Sequence, residues 1–191
     1  LADESVGKPW NTGRGYIALA GVRLNQSRRG EALDAVELAL SIDPTSIAAK
    51  AMRGMILLLQ SDFDLAESDF QAVFEADPNH PFASFGLAVC FEKDDRFSQA
   101  SSMFQKAEGV ALTGEKQAAA ALGRCRTSAI MGDFVAADQA IRRAIMAEPA
   151  CDLLSVVRPI ATTLRTWKRS ETIAEPPLSA IISAARSLAF A

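Results

Sequence analysis

The chain has 191 residues, of which 49% are apolar and 23% are charged, and its net charge is −3. The apolar fraction is sufficient for a folded core, whereas the small negative charge offers no electrostatic basis for binding nucleic acid. The three cysteines are odd in number and widely spaced, which argues against a disulfide framework. No apolar run is long enough to span a membrane.

Residues 1–12 are predicted to form an N-terminal arm, because a glycine and a proline interrupt any helical pattern there. Within the arm, Trp10 is expected to pack on the first helix, ahead of an N-cap at Asn11 or Thr12. The chain begins with leucine instead of methionine, so we expect a trimmed or processed fragment. We expect a cytoplasmic location, with a periplasmic one left open.

After the arm, a proline follows an acidic residue at the end of three alanine-rich stretches, at Asp43-Pro44, Asp77-Pro78 and Glu148-Pro149. The first two prolines are 34 positions apart, and the third follows 71 positions later, which is twice 34 plus three. A period of about 34 residues is the length of a helix–turn–helix unit that buries its apolar face by stacking on copies of itself. The chain is therefore predicted to be an array of helical repeats.

Inside each repeat, a small residue stands twelve positions before the proline and a larger apolar residue stands eight before it. The small residues are Ala32, Ala66 and Ala137, and the larger ones are Val36, Phe70 and Ile141. A third unit fits in the long interval, with Ala100 and Phe104 at these positions and Leu112 in place of the proline. Four repeats are thus predicted, at residues 13–46, 47–80, 81–114 and 118–151.

Two helices are predicted in each repeat. They cover approximately residues 13–26 and 30–42, 46–60 and 63–76, 80–93 and 97–108, and 115–131 and 134–147. The dipeptides Ser61-Asp62 and Gly132-Asp133 are expected to cap the second helix of their repeats. Residues 150–191 are predicted to form C-terminal capping helices, because apolar stripes with helical spacing follow the last repeat.

This pattern resembles the tetratricopeptide repeat family over residues 13–149. The alanine, the larger apolar residue and the proline of each second helix carry the resemblance. The resemblance implies an all-α fold, a right-handed α-solenoid of about four helix–turn–helix repeats with C-terminal capping helices. Departures lie in the first helices, where other residues replace the family's aromatic residues or its leucine: Lys50, Ala121, Arg23, Ser128 and Arg124.

The sequence contains no pattern that indicates catalysis. The only histidine, His80, lies in a predicted turn without a second histidine or a phased cysteine, so a structural role is favoured over acid–base catalysis. The carboxylates between Asp62 and Asp69 cluster at a helix start, where they favour the helix dipole, and they lack the spacing of a calcium loop. We therefore predict a non-enzymatic protein without catalytic, cofactor-binding or metal-binding residues.

The resemblance further implies that the first helices line a concave groove that binds a partner. The partner-binding residues that it implies are Arg14, Ile17, Leu24, Met52, Met55, Phe82, Phe85, Val89, Leu122 and Arg126. Most are apolar, and the polar residues with which some family members clamp an acidic chaperone tail are absent. We predict a protein or peptide partner that inserts an apolar or amphipathic segment. The two arginines, at opposite ends of this face, suit acidic residues near the ends of that segment.

Two alternatives remain open at this stage. The chain could self-associate as a homodimer through its C-terminal helices. It could also be a regulatory or adaptor segment of a larger enzyme, with the catalytic domain elsewhere.

Overall fold

The computed structural model describes residues 12–111 and 113–147, and these residues form eight α-helices and no strand. The helices are α1 (Gly13–Asn25), α2 (Arg29–Ile42), α3 (Ile47–Gln60), α4 (Phe63–Ala76), α5 (Ala83–Lys93), α6 (Phe97–Val110), α7 (Gly114–Ile130) and α8 (Phe134–Ala147). The chain divides into two compact units, Leu1–Gly86 and Leu87–Ala191. The predicted arm and the predicted C-terminal capping helices lie outside the described residues, apart from Thr12.

The predicted helices are confirmed to within three residues at each end. The largest difference is the start of α5, which begins at Ala83 instead of residue 80. A turn occupies the preceding residues, because the His80 N–H donates to the Asp77 carbonyl and the Ala83 N–H donates to the His80 carbonyl. Pro81 lies within this turn, between His80 and Ala83, where its missing N–H and fixed φ are tolerated ahead of a helix.

The turn between the two helices of a repeat has the same geometry in all four repeats. One residue takes a positive φ angle, and the N–H of the next residue donates to a carbonyl five positions earlier in sequence, the pattern of a Schellman motif. The positive-φ residues are Ser27 (60°), Ser61 (67°), Asp95 (58°) and Gly132 (81°). The donors and acceptors are Arg28 to Arg23, Asp62 to Leu57, Arg96 to Phe91 and Asp133 to Ser128, at 2.8–3.0 Å.

The alanines at the small position of each predicted repeat are fully buried: Ala32, Ala66, Ala100 and Ala137. Glycines allow an equally close approach beside the larger core residues. A Cβ atom on Gly86 would lie 2.4 Å from the Phe70 ring, and one on Gly123 would lie 2.4 Å from the Phe104 ring. Both rings are almost completely buried, so small residues on neighbouring helices determine how closely these helices pack.

Side-chain caps form at several helix starts. Thr12 accepts a hydrogen bond from the Gly15 N–H at 3.2 Å, as expected for the cap of α1. Asp133 accepts from the Ala136 N–H at 2.9 Å, which confirms the predicted cap of α8. The predicted cap at Asp62 is wrong, because this side chain makes no cap hydrogen bond and Ser61 instead closes the end of α3 with its positive φ.

Candidate partner-binding surface

In the first unit, predicted groove residues of α1 and α3 are partly exposed and pack against buried residues. Ile17 and Leu24 of α1 and Met52 of α3 are half-buried and pack against the same buried cluster. That cluster consists of Ala20, Ala32, Ala35, Val36, Ala39, Ala49 and Ile56. The inner side of each of the three side chains therefore contributes to the core, while its outer side remains accessible.

Gly21 of α1 lies close to the Met52 side chain of α3. A Cβ atom on Gly21 would lie 3.9 Å from the Met52 methyl carbon, so the methionine side chain of α3 rests against the glycine of α1. Met55, one turn later on α3, is also half-buried. Methionine side chains are flexible and polarisable, so a surface built on them adapts to different apolar partners.

At the start of α5, the local turn fixes one of the two predicted phenylalanines. The Phe82 N–H donates to His80 Nδ1 at 3.4 Å, and the two rings have their centres 6.0 Å apart. Burial lowers the pKa of His80, with the charge of Asp77 opposing, so the imidazole accepts this hydrogen bond in its neutral form. His80 therefore holds the turn that positions Phe82, and both Phe82 and Phe85 are half-buried.

In the second unit, the predicted groove residues have different surroundings. Val89 is half-buried on α5, whereas Leu122 is only 7% exposed and belongs to the buried cluster of α7 and α8. Leu122 therefore serves the core, which differs from the groove position predicted for it. Arg126 forms a two-pronged ion pair with Glu92, so its charge is already neutralised by a neighbouring helix. Arg14, by contrast, is exposed at the start of α1.

A buried ion network joins α6, α7 and α8, and sequence reasoning did not predict it. The Arg124 and Glu108 side chains are 7% and 5% exposed, and their closest N and O atoms are 2.7 Å apart. Arg143, whose side chain is 55% exposed, donates a hydrogen bond from Nη1 to Glu108 at 3.3 Å. Burial raises the pKa of Glu108, and the two arginines oppose that increase.

Arg124 has a counterpart in the second repeat. Arg53 and Arg124 occupy the same repeat position, which holds Leu19 and Leu87 in the other two repeats. Arg53 forms two hydrogen bonds of 2.7 Å with Asp69, whose side chain is 5% exposed. An arginine at an otherwise apolar position was the available signal that a buried carboxylate lies nearby.

Within residues 12–111 and 113–147, no group of three or more metal-binding side chains comes together. Cys90 and Cys125 are both buried free thiols. Burial raises the pKa of Cys125 to about 12, so its thiol stays protonated at neutral pH. None of the described helices combines the length and the apolar character that a membrane crossing requires.

Comparison with known sequences gives matches to part of the chain. A tetratricopeptide repeat family model matches residues 47–80, the same range as the second predicted repeat. Peptidyl-prolyl cis-trans isomerase FKBP4 of Mus musculus and of Rattus norvegicus are each 32% identical over 81 residues, which is 42% of this chain. The chain spans only 18% of the length of these relatives.

Comparison with solved structures covers nearly the whole chain. The pilF protein of Pseudomonas aeruginosa has a TM-score of 0.65 at 16% identity, over 93% of this chain and 89% of that one. YrrB, described as a TPR protein with an unusual peptide-binding site, has a TM-score of 0.68 at 14% identity, over 97% and 90%. MamA from Desulfovibrio magneticus RS-1 has a TM-score of 0.67 at 15% identity, over 93% and 95%.

Identities this low establish the fold alone, which is an all-α helical-repeat solenoid. The family match adds the sequence evidence within the second repeat. The family model thus identifies residues 47–80 as a tetratricopeptide repeat, and the structural neighbours share the helical-repeat fold over nearly the whole chain.

Proposed function

We propose that this chain is a non-enzymatic interaction module that binds the apolar face of an amphipathic segment on the first helices of its repeats. The tetratricopeptide repeat fold supports a role in protein–protein interaction. The binding surface proposed here lies in the first unit and consists of Ile17, Leu24, Met52, Met55, Phe82 and Phe85.

The observation that carries the proposal is the common buried cluster against which apolar residues of α1 and α3 pack. Ile17, Leu24 and Met52 are half-buried against one cluster, and Met52 rests against Gly21. Half-buried apolar side chains that are held from below lose little conformational freedom when a partner covers them. The peptide-binding site reported for YrrB, which has the same fold, supports a peptide ligand for this chain.

The charged residues refine the partner that we propose. Arg14 is exposed, whereas Arg126 is paired with Glu92 and lies in the second unit. An acidic residue near one end of the partner segment would therefore meet Arg14, and we expect Arg126 to contribute less. Since Arg14 stays solvated, its replacement by alanine should weaken binding by less than about tenfold.

The test is a pair of matched charge substitutions. Met52→Glu places a carboxylate in the proposed contact, where it must be desolvated without a counter-ion, and should abolish binding. Leu65→Glu makes the same change in charge on α4, where the leucine is 62% exposed, and should bind as the native chain does. Fluorescence anisotropy of a labelled amphipathic helical peptide, with leucines at positions i, i+3, i+4 and i+7, measures both.

The two phenylalanines give a second measurement at the other side of the surface. Phe82→Glu or Phe85→Glu should abolish binding of the same peptide and leave the helical circular dichroism unchanged. Normal binding by both the Met52 and the phenylalanine variants would contradict the proposed surface.

A second candidate function rests on the match to FKBP4, an enzyme of which this chain spans 18% of the length. In this case the chain would be an interaction segment within a larger enzyme. Determination of the reading frame around the coding sequence tests this candidate, because it requires a catalytic domain in the same polypeptide.

A further inference from the structure

The outward row of α2 combines acidic and apolar residues. Gly30, Asp34, Leu38 and Ile42 follow one another at intervals of four, so they lie along one ridge of the helix, and all four are exposed. Leu38 is 49% exposed and Ile42 is 54% exposed. The corresponding residues of α4 are Ala72 and Ala76, so the exposed aliphatic pair is a feature of α2 and not of every repeat.

The outward row of α8 has the opposite charge. Val135, Gln139, Arg142 and Met146 are spaced at intervals of four, three and four and are exposed, which places them on one face. Val135 is 56% exposed and Met146 is 82% exposed. The Arg142 side chain is 57% exposed, although it donates to Asp138 at 2.9 Å within the helix.

The two rows match when one helix lies antiparallel on the other. In one register, Ile42 faces Val135, Leu38 faces the stem of Gln139, and Asp34 faces Arg142. Gly30 then faces Met146, and nothing lies within 4 Å of a Cβ atom at Gly30, so the long methionine side chain has room there. Apolar residues thus meet apolar residues, and the acid meets the base.

We propose that α8 of one copy of this chain binds α2 of a second copy, antiparallel and in this register. This surface is distinct from the one proposed for partner binding, which lies on the first helices of the repeats. The second copy is favoured as the occupant because the chain itself carries both complementary rows. The contact joins different surfaces of the two copies, so it can repeat from copy to copy.

The size of the contact sets its expected strength. One pair of helices, each of 14 residues, falls short of the roughly 800 Å² per partner that a stable interface buries. The association is therefore weak and depends on protein concentration. Because a charge pair contributes to it, the association also weakens as salt is added.

A charge-reversal set on the full 191-residue chain tests the proposal. Analytical ultracentrifugation over a range of concentrations measures the dissociation constant of the native chain, of Asp34→Arg, of Arg142→Asp and of the double variant. Each single variant places like charges opposite each other and should raise the dissociation constant at least about tenfold. The double variant restores an opposite-charge pair and should return to within about threefold of the native value.

The methyl resonance of Met146 gives a second, residue-specific measurement of the association. The methyl resonance of Met146 should move with increasing protein concentration in the native chain and stay constant in Asp34→Arg. Phe82→Glu, on the other proposed surface, is the matched control and should associate as the native chain does. Circular dichroism checks that each variant keeps its helicity, which is expected because Asp34 and Arg142 are exposed.

Three results would overturn the proposal. The first is an apparent mass of the native chain that does not change with concentration. The second is association that neither single variant weakens, since the contact would then lie elsewhere. The third is a double variant that associates no better than the single variants.

Discussion

The two compact units of the chain use different chemistry in their interiors. The described core of the first unit consists of alanine and aliphatic residues around Val36 and Ile56, with the Phe70 ring held beside Gly86. The first unit also buries the Asp69 carboxylate, but its partner Arg53 is 34% exposed. The second unit has a similar alanine-rich cluster, but it also buries Arg124 and Glu108. The same repeat position holds Leu87 in the third repeat and Arg124 in the fourth. A repeat backbone thus accepts an arginine in place of a leucine when a carboxylate from another helix accompanies it.

The predicted groove residues also have different surroundings in the two units. There, the predicted groove residues remain half-exposed on α1, α3 and the start of α5. In the second unit, Leu122 is buried and Arg126 is occupied by Glu92. Residues that are buried in the core, or that are paired and only 15% exposed as Arg126 is, are less able to contact a partner.

The largest expected effect comes from removing one member of the buried ion network. Glu108→Leu leaves Arg124 buried without its nearest counter-ion and should lower the free energy of unfolding by about 3–5 kcal/mol. Glu108→Leu combined with Arg124→Leu should recover most of this loss, because the fourth repeat then has the apolar residue found at Leu19 and Leu87. Urea unfolding of the two variants measures the difference, and a double variant as unstable as the single one would contradict the interpretation.

An intermediate effect is expected at the glycine beside Phe70 in the first unit. Gly86→Ala places a methyl group 2.4 Å from that ring and should lower the free energy of unfolding by about 1–3 kcal/mol. Gly30→Ala is the matched control, since nothing lies near its Cβ position, and should raise stability by about 0.5–1 kcal/mol. Thermal unfolding of both variants checks the prediction, and equal melting temperatures would show that the ring moves freely.

The smallest effect is the pH dependence that Glu108 gives to the second unit. Burial raises the pKa of Glu108 above its ordinary value of 4.5, so the folded state prefers the protonated carboxyl more than the unfolded state does. The resulting stabilisation is complete below about pH 4.5 and is lost as the pH rises through the folded pKa.

The measurement is the difference in unfolding free energy between the native chain and Glu108→Gln, followed from acid to neutral pH. Taking this difference cancels the titration of the other carboxylates. As the pH rises, the native chain should lose unfolding free energy relative to Glu108→Gln. A difference that moves in the native chain's favour would mean that Arg124 and Arg143 outweigh burial.

The sequence predicts the positions where local geometry permits few residues. The four repeat alanines are confirmed as fully buried, where a close-packed interior favours a small side chain, and the prolines mark the repeat length. The direction of the ion pairs could not be predicted in the same way. Arg53 pairs with Asp69, which follows it in the chain, whereas Arg124 pairs with Glu108, which precedes it. The arginine at this repeat position thus pairs with a later carboxylate in one repeat and with an earlier one in another. Only the folded structure determines which carboxylate it pairs with.

Two further features could not be predicted from the sequence: the shared turn geometry and the helix faces that neighbouring helices cover. Serine and aspartate at Ser27, Ser61 and Asp95 adopt a positive φ angle that glycine adopts at Gly132, so residue type did not reveal the shared turn. The family resemblance implies a groove position for Leu122, yet packing of α7 on α8 buries it. Spacing predicts which residues share a face, but not which face a neighbouring helix covers.

The central claim, that partners bind on the first helices of the first unit, is tested most directly by the five methionine methyl groups of the chain. Met52 and Met55 lie on the proposed surface, whereas Met131 and Met146 are exposed elsewhere. We expect titration of the amphipathic leucine peptide into dilute protein with labelled methionine methyl groups to shift the resonances of Met52 and Met55 and to leave those of Met131 and Met146 in place. Shifts confined to Met131 and Met146, with Met52 and Met55 unchanged at saturation, would contradict the account.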